Sequence, residues 1–382
     1  MTPAGLAEAL TTFGPAYLAN HALPRGAAKV WRAILACRTA ALGGHVESCT
    51  NCGTSRHVYH SCRNRHCPRC QTRAKEAWLA ARRREVLPVP YFHLVFTLPH
   101  ALNGLIGAAP RRLYETLFAA ASATLTEFAG SPRHLGGMPA FSLVLHTWQQ
   151  DLGRHVHVHA LVASGALSDS GEWIRPKKGF LFPVRALSKV FRGKFMAGLD
   201  DLRRQNRLPD FLDSFAWQCL KQALYAHDWV VYAKQPLGGP QAVLAYLGRY
   251  THRVAISNER IVGIANGHVA FRVRADAQGK KRIVRLPGDE FIARFLLHVL
   301  PGGFKRIRHY GLLSPARKKV GLAAARSALA VPPPEAAVIE SVAAFLRRVA
   351  LLASMCCAHC GGQFQVTASL LPLPRCPARG PP

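Results

Sequence analysis

Apolar residues follow a helical spacing in the first part of the chain and a strand-like spacing from about residue 90 onward. Up to residue 36 they recur at loose helical intervals. Residues 71–86, rich in Ala, Arg and Lys, form a second helical stretch that Pro88 and Pro90 terminate. From Tyr91 the apolar runs become short, aromatic and β-branched. Residues 92–98 read as a strand, 111–128 as a helix, and 141–147 and 155–163 as two strands joined by a short polar loop. Further strands are expected at 229–233, 261–264, 269–273 and 282–286, the middle pair forming a hairpin turned at Asn266-Gly267. Strands mixed with helices in irregular order predict an α+β sheet domain. After Pro301 the chain turns strongly basic, breaks at Pro332-Pro333-Pro334, and resumes as an apolar helix over 335–352. The expected organisation is a helical domain at 1–88, the sheet domain at 89–300, and a basic helical C-terminal region at 301–382.

Within the second strand of that pair, His155, His157 and His159 alternate with valines. A strand repeats every two residues, so the three imidazoles share one face. A lone strand histidine is ordinarily a satisfied core or surface residue, but three in alternation point to a divalent metal. The hairpin brings His146 towards the row as a possible third ligand, with Gln149, Gln150 and Asp151 in the loop between. Imidazoles with an oxygen ligand or water suit Mg²⁺ or Mn²⁺ engaged with phosphate, or zinc, and periodicity does not choose among them.

Charge adds a partner. Fifty Lys and Arg against twenty Asp and Glu leave a net +30, spread along all 382 residues. Such a chain gains affinity for nucleic acid by releasing counterions from phosphates. No apolar run of membrane-spanning length interrupts it, and Met1 to Leu23 lack the basic leader and apolar core of a secretory signal. A cytoplasmic, nucleoid-associated protein is expected, with no membrane partner and no small-molecule cofactor. In that reducing compartment eleven cysteines in clusters suit metal binding better than disulfides.

Cys49-Thr-Asn-Cys52 and Cys67-Pro-Arg-Cys70 have the two-residue spacing that lets both thiolates reach one zinc at ~2.3 Å. Cys37, His45, Cys62 and His66 form a second potential set, so an interleaved arrangement of one or two zinc ions is expected, with pairs 49/52 and 67/70 sharing one ion. His57 and His60 are alternative members of the second set, and Cys37 reads equally well as a small buried hydrophobe. A closed tetrahedral shell has no open position, which makes the role structural. Arg65 and Arg69, among several arginines on this module, are candidate phosphate contacts. Near the other end, Cys357-Ala-His-Cys360 looks like a third knuckle. Only Cys376 follows it, so it reads as a remnant or a tail.

In the segment 238–253, Pro240 suits a first helical turn, and Tyr246 and Tyr250, four apart, share one helix face. Tyrosines at that spacing are ordinarily packing residues. With a metal site elsewhere and Arg249 and Arg253 alongside, they become candidate nucleophiles. A phenol of pKa ~10 attacks phosphorus only when a metal withdraws charge from the phosphate.

The cysteine cluster, Phe96-Thr97-Leu98-Pro99-His100, Leu145-His146-Thr147-Trp148, His157-Val158-His159 and the run from Tyr246 through Tyr250 to Ile256 together resemble the two-tyrosine transposases of the insertion-sequence 91 family. These belong to the His-hydrophobic-His (HUH) endonucleases. The resemblance spans about residues 20–310. It implies a ferredoxin-like antiparallel sheet, His157 and His159 as metal ligands, and Mg²⁺ or Mn²⁺ as the catalytic ion. It also implies attack by Tyr246 or Tyr250 on single-stranded DNA at transposon ends, giving a 5′-phosphotyrosine bond and a 3′-hydroxyl. His155 lies outside that two-histidine motif. A rolling-circle replication initiator or relaxase would share the motifs. From a different class, a non-catalytic zinc-dependent DNA-binding protein would use the histidines structurally.

The basic surface predicts that affinity for a random-sequence oligonucleotide falls linearly on a log–log plot against salt, with slope about −0.7 per phosphate neutralised. Fluorescence anisotropy across a salt series checks this, and a salt-independent affinity would contradict it.

Overall fold

Alternation along five strands separates an apolar face from a histidine-bearing face, and the rest of the fold is arranged around that sheet. The computed structural model describes residues 5–177, 181–210, 212–237, 242–244, 248, 254–274, 282–334, 344 and 356–373. The chain begins with helices α1 (Leu6–Asn20) and α2 (Arg25–Ala36), a hairpin of β1 (Gly44–Cys49) and β2 (Ser55–Tyr59), and helix α3 (Gln71–Arg83). The central sheet then takes β3 (Tyr91–Thr97), β4 (Met138–Trp148), β5 (Arg154–Leu167), β7 (Val231–Leu237) and β11 (Ile307–Gly311). Its order is β11-β4-β5-β3-β7, every pairing is antiparallel, and the short β6 (Trp173–Ile174) pairs with β5.

One face of this sheet presents Phe92, Leu94 and Phe96, then Phe141, Leu143 and Leu145, then Val156, Val158, Ala160 and Val162, all buried. Against it lie α5 (Pro110–Gly130) and α6 (Val184–Arg204), which supply Leu113, Leu117, Phe118, Ala121 and Leu125, and Leu187, Phe191, Phe195 and Leu199. Each of those large side chains contributes about 1.5–3 kcal/mol by leaving water, so this face sets the register. The opposite face divides. Tyr91, Ala140, Leu161 and Ala163 are covered by Val243, Val86, Leu312 and Leu322, while the other end of the same strands carries histidines.

A second core packs α1 and α2 against a three-stranded meander of β8 (Ile261–Ala265), β9 (His268–Val273) and β10 (Arg282–Pro287) with helix α8 (Gly288–Leu296). The hairpin turns at Asn266 and Gly267, both at positive φ (50° and 75°), as the Asn-Gly pair requires. Gly288 lets this helix approach α1, since a Cβ there would lie 2.1 Å from the Phe13 ring.

The three contiguous domains expected from the sequence do not match this packing. Ile261, Val269, Phe271, Leu286 and Phe291 form a core with the first two helices, β11 enters the central sheet, and β12 (Phe364–Leu370) joins β1 and β2 in the order β12-β1-β2. Strand periodicity reports a buried face but not a distant partner, which is why the regrouping was hidden. The expected helix at 335–352 lies outside the described residues except for Ala344.

The β4–β5 turn is pinned to the second core. Asp151 Oδ1 accepts the Gly153 N–H at 2.9 Å, and Leu152, at φ 67°, is fully buried in that core. His298 donates from Nε2 to the Leu152 carbonyl at 2.9 Å, Arg294 donates to the Asp151 carbonyl at 3.0 Å, and Arg260 donates to that of Gln150. Leu152→Ala is expected to cost about 2–5 kcal/mol in urea denaturation. A loss under ~0.5 kcal/mol, the range of an ordinary surface substitution, would contradict the anchoring role.

Candidate active site and metal centres

Cross-strand register assembles the histidines. His146 on β4 stands opposite His157 on β5, and Val144 opposite His159. One ring nitrogen from each of His146, His157 and His159 lies within 4.8 Å of the others, and among the described residues no carboxylate joins this group. His157 Nε2 and His159 Nε2 are 3.2 Å apart.

The outer nitrogens fix the tautomers. His157 Nδ1 donates to the His155 carbonyl at 3.0 Å, which leaves the Nε2 lone pair for a ligand. His159 Nδ1 lies 2.8 Å from His93 Nε2 on β3, and donation from His159 to His93 frees its own Nε2 in the same way. Burial pushes the His157 pKa down to about 4, with the neighbouring His155 adding to it, and burial does the same to His93. Both rings are therefore neutral near pH 7, the form a metal requires. Trp148 stacks on His146 at 4.7 Å and holds its ring plane. His155 is not part of this group, although its ring centroid lies 5.0 Å from that of His157, and it pairs with His100, Nδ1 to Nε2, at 3.1 Å.

His93 is the residue that sequence reasoning missed, while His100 was noted only within the family resemblance and given no role. A single histidine inside an apolar strand carries no signal beyond that of a satisfied core residue, and His93 becomes visible only through the pairing of β3 with β5. Three imidazoles converging on one side leave the other side of an ion free for phosphate oxygens or water.

Tyr246, Tyr250, Arg249 and Arg253 lie outside the described residues. Their neighbours are placed. Val243 is fully buried against Tyr91, Leu161 and Ala163, and the last two belong to the histidine-bearing face of β5. At Gly248 a Cβ would sit 3.1 Å from the Lys75 and Leu79 side chains of α3.

The cysteines form two groups of four, and neither is the expected one. Cys37, Cys62, Cys67 and Cys70 converge at the base of the β1–β2 hairpin, with sulfur separations of 3.5 Å (37 to 70) and 3.6 Å (62 to 70). Cys49 and Cys52 converge instead with Cys357 and Cys360, at 3.4 Å (49 to 360) and 3.7 Å (52 to 357). Four sulfurs each ~2.3 Å from one zinc are ~3.8 Å apart, so both groups fit a tetrahedral ion. The expected sharing between 49/52 and 67/70 fails because the hairpin carries the first knuckle to its tip, about 20 Å of strand from its base. The C-terminal knuckle is likewise no remnant.

His45 and His66 join neither group. His45 Nε2 meets Glu47 at 3.1 Å, while His66 is held by Asn64 Oδ1 and the Leu300 N–H, and burial pushes its pKa down to about 3. The alternatives His57 and His60 also lie outside both groups. In the first group, the Cys62 S–H beside Cys37 lowers the Cys37 pKa, and Cys62 is itself pushed up to about 12. An ion replaces such shared protons.

Arg65 and Arg69, the candidate phosphate contacts, both bind backbone carbonyls, Arg65 from a half-buried position and Arg69 from an exposed one. Arg65 donates to the Phe304 carbonyl and, at 3.1 Å, to that of Pro301, and Arg69 donates to the Cys37 carbonyl at 3.3 Å.

Comparisons with known proteins give the class of the chain. Residues 9–98 match the family described as "Transposase zinc-binding domain", and residues 140–320 match one described as "Putative transposase". "Putative transposase y4qJ" of Sinorhizobium fredii is 45% identical over 338 residues, covering 86% of this chain and 85% of that protein. "Transposase for insertion sequence element IS801" of Pseudomonas savastanoi pv. phaseolicola is 28% identical over 294 residues, covering 74% of this chain and 68% of that protein. No solved structure matches. The chain is thus a transposase, an enzyme that cuts and transfers DNA strands, with a zinc-binding domain. The chain belongs to the insertion-sequence 91 family of transposases, with its zinc-binding domain at the N-terminus. No helix among the described residues is long and apolar enough to cross a membrane.

Burial of neutral histidines makes stability depend on pH. Burial depresses the His298 pKa to about 4, against ~6.5 for an unfolded chain. Between those values the unfolded state binds more protons, so stability is present above pH ~6.5 and is lost as pH falls towards 4. His309 acts in the same direction, again through burial. Urea midpoints should therefore fall from pH 7 to pH 4.5, less steeply for His298→Gln. A flat wild-type profile would contradict the assignment.

Proposed function

We propose that this transposase cleaves and rejoins single-stranded DNA at the ends of its element through a tyrosine–DNA intermediate, in rolling-circle transposition. Convergence of His146, His157 and His159 on the sheet face that Val243 covers is the observation that carries this reading. The tyrosine segment continues from Val243, and Gly248, between the two tyrosines, packs beside α3. A ferredoxin-like HUH sheet is the fold that fits. The histidine strand β5 is the middle one of five antiparallel strands, with helices covering its other face.

In this reading the three imidazoles hold one Mg²⁺ or Mn²⁺ ion, which supplies charge withdrawal from the scissile phosphate when bound. His157 is held in place by the His155 carbonyl, and His159 by His93. The phenolic oxygen of Tyr246 or Tyr250 forms a bond to phosphorus. The bond from phosphorus to the 3′ oxygen breaks, and that oxygen takes a proton to become a 3′-hydroxyl. The 5′-phosphate of the downstream fragment stays on the tyrosine, so the energy of the phosphodiester is kept for rejoining, and the second tyrosine is available for a second strand. The group Cys37, Cys62, Cys67 and Cys70 holds a structural zinc that fixes the N-terminal module against the catalytic sheet.

Incubating the protein with single-stranded oligonucleotides that carry the element end and Mn²⁺ should yield a covalent adduct, mapped by peptide mass spectrometry to Tyr246 or Tyr250. Tyr246→Phe combined with Tyr250→Phe, or His157→Ala combined with His159→Ala, should abolish the adduct while leaving salt-sensitive DNA binding in place. An adduct that survives the double tyrosine variant, or that forms equally in EDTA, would overturn the proposal.

A further inference from the structure

Two segments more than three hundred residues apart in sequence fold into the same local structure. In Cys49-Thr-Asn-Cys52-Gly53, the Gly53 N–H bonds back to the Cys49 carbonyl at 3.0 Å, and the Cys49 N–H bonds forward to the Thr54 carbonyl at 2.9 Å. In Cys357-Ala-His-Cys360-Gly361, the Gly361 N–H bonds back to the Cys357 carbonyl at 2.8 Å, and the Cys357 N–H bonds forward to the Gly362 carbonyl at 2.8 Å. Both glycines sit at positive φ, 72° and 71°. Each loop thus points its two sulfurs the same way, and the two loops face each other. Gly362 is needed for the approach, because a Cβ there would lie 2.9 Å from the Cys49 sulfur.

We propose that Cys49, Cys52, Cys357 and Cys360 bind a second structural zinc ion, separate from that of Cys37, Cys62, Cys67 and Cys70, and that this ion fastens the C-terminal segment to the N-terminal module. The separations of 3.4 and 3.7 Å across the two loops suit four thiolates on one ion. Apolar burial does not explain the docking, for β12 is largely exposed, with Val366 at 57%. β12 is held by its ladder with β1, by Arg56 over the Phe364 ring at 3.8 Å, by the Ser48–Thr367 hydroxyl pair at 3.1 Å, and by the sulfur cluster at its start. A small sheet without a core of its own is the setting in which a metal supplies folding energy. The N-terminal zinc-binding domain is therefore completed by residues far outside its own stretch of sequence.

Zinc content and alkylation of the full-length protein test this independently of DNA cleavage. The wild type should carry two zinc ions per chain. Cys357→Ser combined with Cys360→Ser should lose one, and Cys360→His, which keeps a ligand atom, should retain it. Wild-type protein gives a reading that no variant can spoil. Cys52 and Cys360 are exposed, as are Cys219 and Cys356. With zinc bound, N-ethylmaleimide should label Cys219 and Cys356 promptly but Cys52 and Cys360 only after chelation. Prompt labelling of Cys52 and Cys360, an unchanged zinc count in the double variant, or a disulfide among the four cysteines would overturn the proposal.

Discussion

The antiparallel register of β4 against β5 is the constraint on which the site depends. Because His146 stands opposite His157, a shift of one residue would send one strand's histidines into the phenylalanines and leucines beneath the sheet. Burial of Phe141, Leu143 and Leu145 on one side, and of Val156, Val158 and Ala160 on the same side, prevents that slip. The turn adds a second lock, since Leu152 is seated in a different core from the strands it connects. Apolar burial on one face thereby positions polar chemistry on the other, and the histidine group needs no left-handed backbone at the histidines themselves.

The supporting histidines follow from the same register. Pairing of β3 with β5 brings His93 to the outer nitrogen of His159, so three adjacent strands contribute to one site. The zinc-binding module is positioned from outside the sheet. Its Arg65 clamps the carbonyls of residues 301 and 304, and its helix α3 lies beside Gly248 in the tyrosine segment. In the proposed reading, the Cys37, Cys62, Cys67 and Cys70 group bears on catalysis through placement, since Cys70 directly precedes helix α3, beside which Gly248 of the tyrosine segment rests.

Much of this was legible in the chain, for definite reasons. The histidine row has a period of two, and a period of two means one face. The Asn266-Gly267 turn carries its own conformational requirement, and the long helix α5 carries an unbroken apolar stripe. Other features were hidden because they are non-local. Nothing at 307–311 shows that this strand pairs with residues 140–144, and nothing at 357–360 shows that its thiols meet those at 49 and 52. Counting knuckles along the sequence led to the wrong partners, since neighbouring pairs at 49/52 and 67/70 are separated by a hairpin's length in space. His93 was passed over because an isolated histidine in an apolar strand has no period to betray it.

Anomalous diffraction at the manganese edge, on crystals of the full chain grown with Mn²⁺, tests the central claim most directly. The account predicts one strong manganese peak bonded to ring nitrogens of His146, His157 and His159, on the side of the sheet that Val243 covers, with His155 and His93 outside the coordination sphere. A histidine group without manganese, or an ion held by His155 and His100 instead, would contradict it.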